Sequence, residues 1–353
     1  MSFVLDELLR TMVEAGGSDL HVRAGEPPVI RVDGLLRRLD MPAMSAEDTY
    51  GLAYGLMDGD RREKFERNWE LDMSYELHDV SRFRVNMFRQ QGAVGMVLRA
   101  IPIDIKTIDE LALPPVLKEI SLRPRGFVLV TGPTGSGKST TLAAMIHFIN
   151  MTKRSHIITI EDPIEFIHQD RMSALNQREV GMDTHGFSHA LKHVMRQNPD
   201  VILVGEMRDL ETIGLAITAA ETGHLVFATL HTTDAAQTVD RIIDVFPPAQ
   251  QQQVRMQLAV TLEAVVCQTL LPVAEGKGRL PAFEVMLATP AIRANIREGK
   301  THQIPTLIQT GMDRGMFTLD QDLLRLVRER KIKYEDALSR AQSPREFEQL
   351  ARR

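Results

Sequence analysis

Cysteine is almost absent from this 353-residue chain, in which Cys267 is the single example. One thiol cannot form an internal disulfide, and it cannot supply a zinc site built from four cysteines. The composition therefore fits a protein that works in a reducing, cytosolic compartment.

Long hydrophobic runs are also missing, since no stretch of about 18 apolar residues occurs in the sequence. The first residues, MSFVLDE, have neither the basic segment nor the apolar segment of a secretory signal. Without such segments a chain does not enter a bilayer by itself. We therefore expect a soluble protein that reaches a membrane only through partners.

Positive charge is in short supply as well. Lys and Arg number 42 against 47 Asp and Glu, which gives a formal net charge of −5. Proteins that bind nucleic acid through bulk electrostatics carry a positive excess. The charge balance therefore argues against nucleic-acid binding, although it leaves a local basic face open.

The chain is longer than one ordinary hydrophobic core supports, so we expect more than one domain. Alternating apolar residues and turn signals such as Asp33-Gly34 predict a small α+β domain with an antiparallel sheet over residues 1–100. Residues 101–115 contain prolines and little periodicity, which indicates a linker carrying a short helix. Residues 116–353 are predicted to form a second domain.

Short, fully apolar strands alternate with helices in this second domain. Strands are predicted at residues 127–130, 157–160, 201–204 and 225–228, and helices at residues 140–150, 186–197 and 209–221. This alternation is typical of a parallel sheet with helical crossovers. The fold class is therefore α/β, and the C-terminal part is predicted to be mostly helical.

The first of these strands leads into a loop with the phosphate-binding pattern G-x-x-x-x-G-K-[ST]. Glycines let successive N–H groups turn inward towards phosphate oxygens, and the following helix adds positive potential. Lys138 can reach the β- and γ-phosphates, and the Ser139 hydroxyl can bind Mg²⁺. The predicted site for ATP and Mg²⁺ consists of Gly132, Pro133, Thr134, Gly135, Ser136, Gly137, Lys138, Ser139 and Thr140.

Carboxylates follow two other strands of the predicted sheet. Ligands of parallel α/β sheets bind beyond the carboxyl ends of the strands, where Glu206 and the group Glu161, Asp162 and Glu165 are expected. Glu206 fits the acid that positions or deprotonates the attacking water. The other three carboxylates fit a role in polarising that water or holding hydrated Mg²⁺. Solvated carboxylates at helix N-termini would give the same pattern.

Two histidines flank the fourth strand, His224 before it and His231 after it. Their odd spacing would place them on opposite faces of a continuous strand. Because no cysteine partner or H-E-x-x-H pattern accompanies them, a zinc site is not expected. One interpretation is hydrogen bonding to phosphate, water or a neighbouring subunit, and the other is an imidazole that is hydrogen-bonded in the core.

Two arginines share one face of a strand in the first domain. Arg82 and Arg84 lie opposite the apolar Phe83 and Val85, so both guanidinium groups project from the same side. Such a pair can act on the γ-phosphate that an adjacent protomer binds. Exposed arginines on an edge hairpin are equally typical of a solvated surface.

Four segments resemble the Walker A, Asp, Walker B and His boxes of the secretion-superfamily ATPases. They are GPTGSGKST at residues 132–140, TIEDPIEF at 159–166, DVILVGEMRD at 200–209 and TGHLVFATLHT at 222–232. Within that superfamily the chain is most similar to the type IV pilus retraction ATPases, the PilT-like branch. The similarity runs from GGSDLH at residues 16–21 to PAIRANIRE at 290–298, which resembles an Ala-Ile-Arg helix used by that branch for retraction.

This resemblance implies a RecA-like P-loop NTPase domain with a smaller N-terminal PAS-like α+β domain. It also implies a homo-hexameric ring that binds ATP between the two domains and hydrolyses it to power pilus retraction and twitching motility. The expected location is the cytoplasmic side of the inner membrane, at the base of the pilus machine. The expected partners are an inner-membrane pilus platform protein and an accessory retraction paralogue, and no nucleic acid.

The resemblance also assigns roles to individual residues. Lys138 and Ser139 would bind phosphate and Mg²⁺, and Glu206 would be the catalytic acid. The remaining matches are Glu161 as an accessory acid, His224 and His231 as nucleotide sensors, and Arg82, Arg84 and Arg99 as basic residues that complete the site.

The choice of branch depends on two absences. Pilus-extension and type II secretion relatives usually carry a long N-terminal extension, and many have a four-cysteine metal subdomain, neither of which is expected here. An accessory PilU-like retraction ATPase shares the same boxes and stays an alternative. Two further alternatives are a ring that translocates DNA and a nucleotide-gated scaffold with little turnover.

Overall fold

The computed structural model describes residues 3–32, 34–101, 104–276 and 278–351. The chain divides into two compact units, Met1–Asp104 with Glu165–Ile167, and Ile105–Ile164 with His168–Arg353. Pro102 and Ile103, in the predicted linker, lie outside the described residues. Among those residues, no helix is both long enough and apolar enough to cross a membrane.

In its described residues the first unit is an antiparallel six-stranded sheet with three helices, which agrees with the α+β arrangement expected from the sequence. Its strand order is β3-β2-β1-β6-β5-β4. Asp33, in the predicted turn between β2 and β3, lies outside the described residues. The elements are α1 (Leu5–Glu14), β1 (Gly17–Val22), β2 (Val29–Val32), β3 (Leu35–Arg38), α2 (Ala46–Gly55), α3 (Gly59–Asn68), β4 (Glu70–Leu77), β5 (Ser81–Gln90) and β6 (Ala93–Ile101).

The second unit contains a seven-stranded sheet in the order β13-β12-β7-β11-β10-β8-β9. All neighbouring strands are parallel except β12 and β13, which form an antiparallel pair. The elements are α4 (Val116–Ser121), β7 (Gly126–Thr131), α5 (Lys138–Thr152), β8 (His156–Glu161), β9 (Ala174–Glu179), α6 (Phe187–Val194), β10 (Val201–Val204), α7 (Leu210–Glu221), β11 (Leu225–Leu230), α8 (Ala235–Asp244), α9 (Pro248–Thr261), β12 (Leu262–Pro272) and β13 (Arg279–Leu287).

Apolar side chains of the central strands belong to two hydrophobic cores, one on each face of this sheet. On β7, Phe127 and Leu129 belong to one buried cluster, whereas Val128 and Val130 belong to the other. Because side chains alternate along a strand, a strand covered on both faces must be apolar at every position. The predicted fold class, a parallel α/β sheet with helical crossovers, is therefore confirmed.

The predicted C-terminal helices are also present. The Thr318 hydroxyl and the Gln321 side chain form a capping box at the start of one of them. The elements that follow the sheet are α10 (Pro290–Glu298), a 3₁₀ turn (Thr301–Gln303), α11 (Ile304–Gln309), a second 3₁₀ turn (Met312–Arg314), α12 (Leu319–Arg328), α13 (Tyr334–Arg340) and α14 (Pro344–Ala351).

Two details differ from the sequence-based expectations. The prediction of a short helix within residues 101–115 is wrong for the described residues 104–115, which form turns instead. Ile108 and Leu113 of this segment are buried in the core of the second unit. The sheet also has three strands that were not predicted, β9, β12 and β13. The strand β12 matters most for the site, because it lies beside β7 with Cys267 opposite Thr131.

Candidate nucleotide-binding site

The phosphate-binding loop connects the end of β7 to the start of α5. Gly135 has φ of 77° and Gly137 has φ of 89°, which are left-handed conformations that favour glycine. Gly137 is also the residue from which α5 begins, so the first free N–H groups of this 15-residue helix face the loop. The loop therefore has the backbone geometry that binding of an anion requires.

Lys138 lies folded back over this loop. Its Nζ donates to the carbonyl oxygen of Gly132 at 2.8 Å and to that of Pro133 at 3.1 Å. Pro133, Thr134 and Gly135 are exposed, so an incoming phosphate would meet the ammonium group directly. Ser139 and Thr140 follow in the first turn of α5 and are half-buried. These residues fit a polyphosphate ligand.

The sheet order brings the other predicted polar residues to the same edge. The parallel strands β7, β11, β10 and β8 are neighbours in that order, so the segments after them share one end of the sheet. Glu161 is the last residue of β8, where it accepts hydrogen bonds from Thr159 Oγ1 at 2.6 Å and from Gln177 Nε2 at 3.2 Å. Asp162 follows Glu161 directly and is exposed.

Glu206 follows β10 and is held through both of its carboxylate oxygens. Arg208 Nη2 donates to Oε2 at 2.7 Å, and His231 Nε2 lies 2.8 Å from Oε1. The Arg208 guanidinium is the main influence that lowers the pKa of the Glu206 carboxyl, with His231 adding to it and partial burial opposing it. Glu206 is therefore ionised at neutral pH and fixed in orientation.

Within one chain, His224 lies at the opposite end of β11 from the predicted nucleotide site. It precedes β11, where its Nδ1 lies 2.8 Å from the carbonyl oxygen of Ala219 and 3.3 Å from Thr222 Oγ1. His231 follows the same strand, and strand geometry separates the two histidines by roughly 20 Å along it. A role for His224 in nucleotide binding stays a prediction.

The predicted arginines lie in the first unit. Arg82 Nη2 donates to Ser74 Oγ at 2.7 Å, and Arg84 is exposed on the same strand, β5. Arg84 lies directly opposite Arg99 of β6 in the strand register. Arg99 in turn donates from Nε to the buried carboxylate of Asp19 at 2.7 Å. Glu165 belongs to the segment Glu165–Ile167 that is grouped with this unit.

Sequence reasoning missed one residue of the loop environment, Gln268 on β12. Its side-chain amide accepts from Thr141 Oγ1 at 2.7 Å and donates to the carbonyl oxygen of Ser136 at 2.7 Å. No local pattern marks this glutamine, because it lies more than a hundred residues after the loop. The parallel pairing of β12 with β7 is what places it there.

The described residues contain no group of three or more His, Cys, Asp or Glu that could hold a metal ion. A Mg²⁺ ion that accompanies a nucleotide needs fewer protein ligands, since phosphate oxygens and water complete its coordination. The Ser139 hydroxyl therefore fits the predicted Mg²⁺ position.

Comparison with known proteins supports a nucleotide site. The family described as Type II/IV secretion system protein matches residues 1–312. The type IV pilus retraction ATPase PilT of Pseudomonas aeruginosa is 52% identical over 343 residues, which are 97% of this chain and 99% of that protein. The type IV pilus ATPase PilU of the same organism is 46% identical over 338 residues, which are 96% of this chain and 88% of that protein.

A solved structure also shows similarity to a pilus retraction ATPase. The crystal structure of the pilus retraction motor PilT with bound ADP matches with a TM-score of 0.93 and 46% sequence identity, and the match covers 98% of this chain and 99% of that one. The similarity spans both units in sequence and in fold. The chain therefore belongs to the Type II/IV secretion system protein family, in which it is a PilT-like secretion ATPase.

Proposed function

We propose that this chain is a motor that hydrolyses ATP to power the retraction of a type IV pilus. One observation carries the proposal. The phosphate-binding loop after β7 and the hydrogen-bonded pair Glu206 and His231 after β10 and β11 emerge from adjacent parallel strands of one sheet. The relatives named for pilus retraction supply the biological direction.

Binding would begin with the loop and the first turn of α5, whose N–H groups would donate hydrogen bonds to the phosphate oxygens of ATP. The Lys138 ammonium group would give up its hydrogen bonds to the carbonyl oxygens of Gly132 and Pro133 and would bind β- and γ-phosphate oxygens instead. Phosphate oxygens are the stronger acceptors because they are charged. The Ser139 hydroxyl would contribute one ligand to Mg²⁺, which neutralises phosphate charge.

Hydrolysis would then depend on Glu206. Glu206 would orient a water molecule for attack on the γ-phosphorus. As the new P–O bond forms, the bond to the β-γ bridging oxygen would break and ADP would leave, and the proton of the water would pass to an oxygen of the released phosphate. His231 keeps one carboxylate oxygen in place, and Arg208 keeps the group ionised. Glu161 would act as an accessory acid at the end of β8.

The motor would be a homo-hexamer. In that arrangement the exposed Arg84, with Arg82 and Arg99, would contact the γ-phosphate bound by an adjacent protomer. Charge from a neighbouring subunit would complete the site only in the assembled ring and would couple hydrolysis to domain rotation. The ring would act on an inner-membrane pilus platform protein from the cytoplasmic side, with an accessory retraction paralogue as a further partner.

Deletion of the gene tests the direction of the motor. Loss of a retraction motor should leave cells piliated but unable to twitch, whereas bald cells would indicate pilus extension instead. The identity to PilT is higher than the identity to PilU, which favours the main motor over the accessory paralogue.

A second experiment separates the motor from a DNA translocase and from a nucleotide-gated scaffold. Phosphate release by the purified protein should be unaffected by added double-stranded DNA. Stimulation by DNA with a steep salt dependence would instead support a translocase. A protein that retains ATP and releases no phosphate would support the scaffold.

A further inference from the structure

A single buried side chain ties the phosphate-binding loop to the helix that follows it. Gln268 is 5% exposed, and its amide lies between Ser136 in the loop and Thr141 in α5. A carbonyl oxygen can only accept a hydrogen bond, so the Nε2 group must face Ser136 and the Oε1 atom must face the Thr141 hydroxyl. Both interactions are 2.7 Å long.

The two contacts lie on either side of the residues that matter most for binding. Ser136 precedes Lys138 and Ser139, and Thr141 follows them. A loop that is fixed at both ends of such a short segment has little freedom to change the direction of its N–H groups. Gln268 therefore restrains the backbone segment from which the Lys138 and Ser139 side chains project.

Two glycines of the loop show how closely β12 approaches. A Cβ atom on Gly132 would lie 2.2 Å from the backbone oxygen of Gln268, and one on Gly137 would lie 2.8 Å from its Nε2 atom. A Cβ atom on Gly135 would have no neighbour within 4 Å. A side chain at Gly132 would therefore collide with the backbone of Gln268, and one at Gly137 would displace the Gln268 amide from Ser136.

We infer that Gln268 is a positioning residue that holds the phosphate-binding loop in its binding shape before nucleotide arrives. It acts through the loop rather than on the reacting atoms. This inference rests on the proposed binding of ATP at the loop. Without the two hydrogen bonds, the Ser136 carbonyl loses a buried partner, and the loop populates shapes that do not bind.

Such a role makes a specific kinetic prediction. If only a fraction of the loops is in the binding shape, the apparent dissociation constant rises by the inverse of that fraction. Turnover at saturating ATP changes little, because the bound loop has the same shape in both proteins. A change in KM without a matching change in kcat therefore distinguishes this role from one in chemistry.

The test uses the full-length protein and three sets of variants. Gln268→Met keeps the length of the side chain and removes both hydrogen bonds, whereas Thr141→Val removes one and Thr141→Ser keeps the hydroxyl. Asn150→Ala is the control for general destabilisation, since the fully buried Asn150 makes hydrogen bonds with Gln169, Arg171 and Ser173 near the other end of α5. ADP affinity, ATP turnover and thermal stability are measured for each.

We expect Gln268→Met to raise KM for ATP and Kd for ADP about tenfold with kcat within about twofold of wild type. Thr141→Val should raise both constants by about threefold, and Thr141→Ser should restore them. Asn150→Ala should lower the melting temperature without changing the ADP affinity.

Two results would overturn the inference alone. One is wild-type ADP affinity in Gln268→Met and Thr141→Val, and the other is a loss of affinity in Asn150→Ala as large as in Gln268→Met. If Gln268→Met does not fold, the comparison of Thr141→Val with Thr141→Ser decides the question. A wild-type protein that binds neither ADP nor ATP would overturn the proposed function, and the role of Gln268 with it.

Discussion

Glu206 and His231 are joined by a hydrogen bond of 2.8 Å between Oε1 and Nε2, which connects the segments after β10 and β11. Arg208 donates a hydrogen bond to the other carboxylate oxygen of Glu206. A carboxylate with both oxygens engaged and a lowered pKa is a weak base, so it is better suited to orienting water than to removing its proton early. The pair therefore favours the water-orienting form of the proposed mechanism.

The fall of kcat at acidic pH tests whether Arg208 lowers the pKa of Glu206. The Arg208 guanidinium is the largest influence that lowers the pKa of Glu206, so Arg208→Ala should raise that pKa. Activity requires the ionised carboxylate, and the loss of activity on acidification should therefore begin at a higher pH in the variant. The measurement is kcat against pH for both proteins. An acid limb at the same pH in both would contradict the assignment of Glu206.

Lys138 and Arg84 should affect different steps. Lys138→Ala removes the ammonium group over the loop and should lower ATP affinity by about a hundredfold. Arg84→Ala should leave affinity unchanged and slow turnover on the order of 10³-fold, because an arginine that acts from an adjacent protomer stabilises mainly the transition state.

The control for Arg84 is Arg89→Ala, an exposed arginine of the same strand that lies over the Trp69 ring. It should turn over at the wild-type rate. Measurements of nucleotide binding and steady-state hydrolysis decide the matter. Equal losses of ATP affinity in Lys138→Ala and Arg84→Ala would show that Arg84 acts in nucleotide binding and does not act mainly by stabilising the transition state.

A buried carboxyl in the second unit should make stability depend on pH. Glu284 accepts hydrogen bonds from the Ala235 N–H and from Gln342 Nε2, and burial raises its pKa from 4.5 to about 7. A carboxyl with a raised pKa in the folded state contributes its full stability below pH 4.5. That contribution is lost as the pH rises through about 7.

Glu284→Gln removes this titration. Between about pH 4.5 and about pH 8, the wild-type free energy of unfolding should fall by about 3 kcal/mol relative to that of the variant. Urea unfolding at several pH values measures the difference. The exposed Glu298→Gln should track the wild type closely, and a Glu284→Gln protein that does the same would show that the Glu284 pKa is not raised.

Arg293 joins the helix α10 to the end of α9. Its guanidinium donates to the carbonyl oxygens of Ala259 and Val260 and pairs with Glu263 at 2.7 Å. Arg293→Ala removes these interactions, of which those to Ala259 and Glu263 are partly buried, and should lower the free energy of unfolding by about 2–3 kcal/mol. The exposed Arg297→Ala in the same helix should stay within about 0.5 kcal/mol of wild type, as measured by denaturant titration.

This result matters for motility experiments. The segment PAIRANIRE resembles a helix used for retraction, so a twitching defect in Arg293→Ala is informative only if the variant is folded. A variant as stable as wild type would contradict the structural role of Arg293.

The sequence predicts those parts of the molecule that depend on local pattern. The loop at Gly132–Thr140 follows from its spacing between an apolar strand and a helix, and the position of Glu206 follows from the rule that strand ends carry the site. These features need only neighbours along the chain. The order of the strands then brings them to one edge of the sheet.

The strands that were missed lack such local signals. The helix α9 passes into β12 at Leu262 without a glycine or proline between them, and β9 has the polar sequence ALNQRE at the edge of the sheet. Gln268 and the pairing of Asp19 with Arg99 depend on contacts between distant parts of the chain. Only the folded structure shows which polar residues these contacts place together.

In the proposed mechanism, Glu206 orients the water molecule that attacks the triphosphate bound by the loop. The most direct test compares steady-state phosphate release from MgATP by wild-type protein and by Glu206→Gln, after ATP binding by both has been established. We expect both proteins to bind ATP and the wild type to release phosphate at least about 100-fold faster. Equal rates in the two proteins would show that Glu206 has no part in ATP hydrolysis.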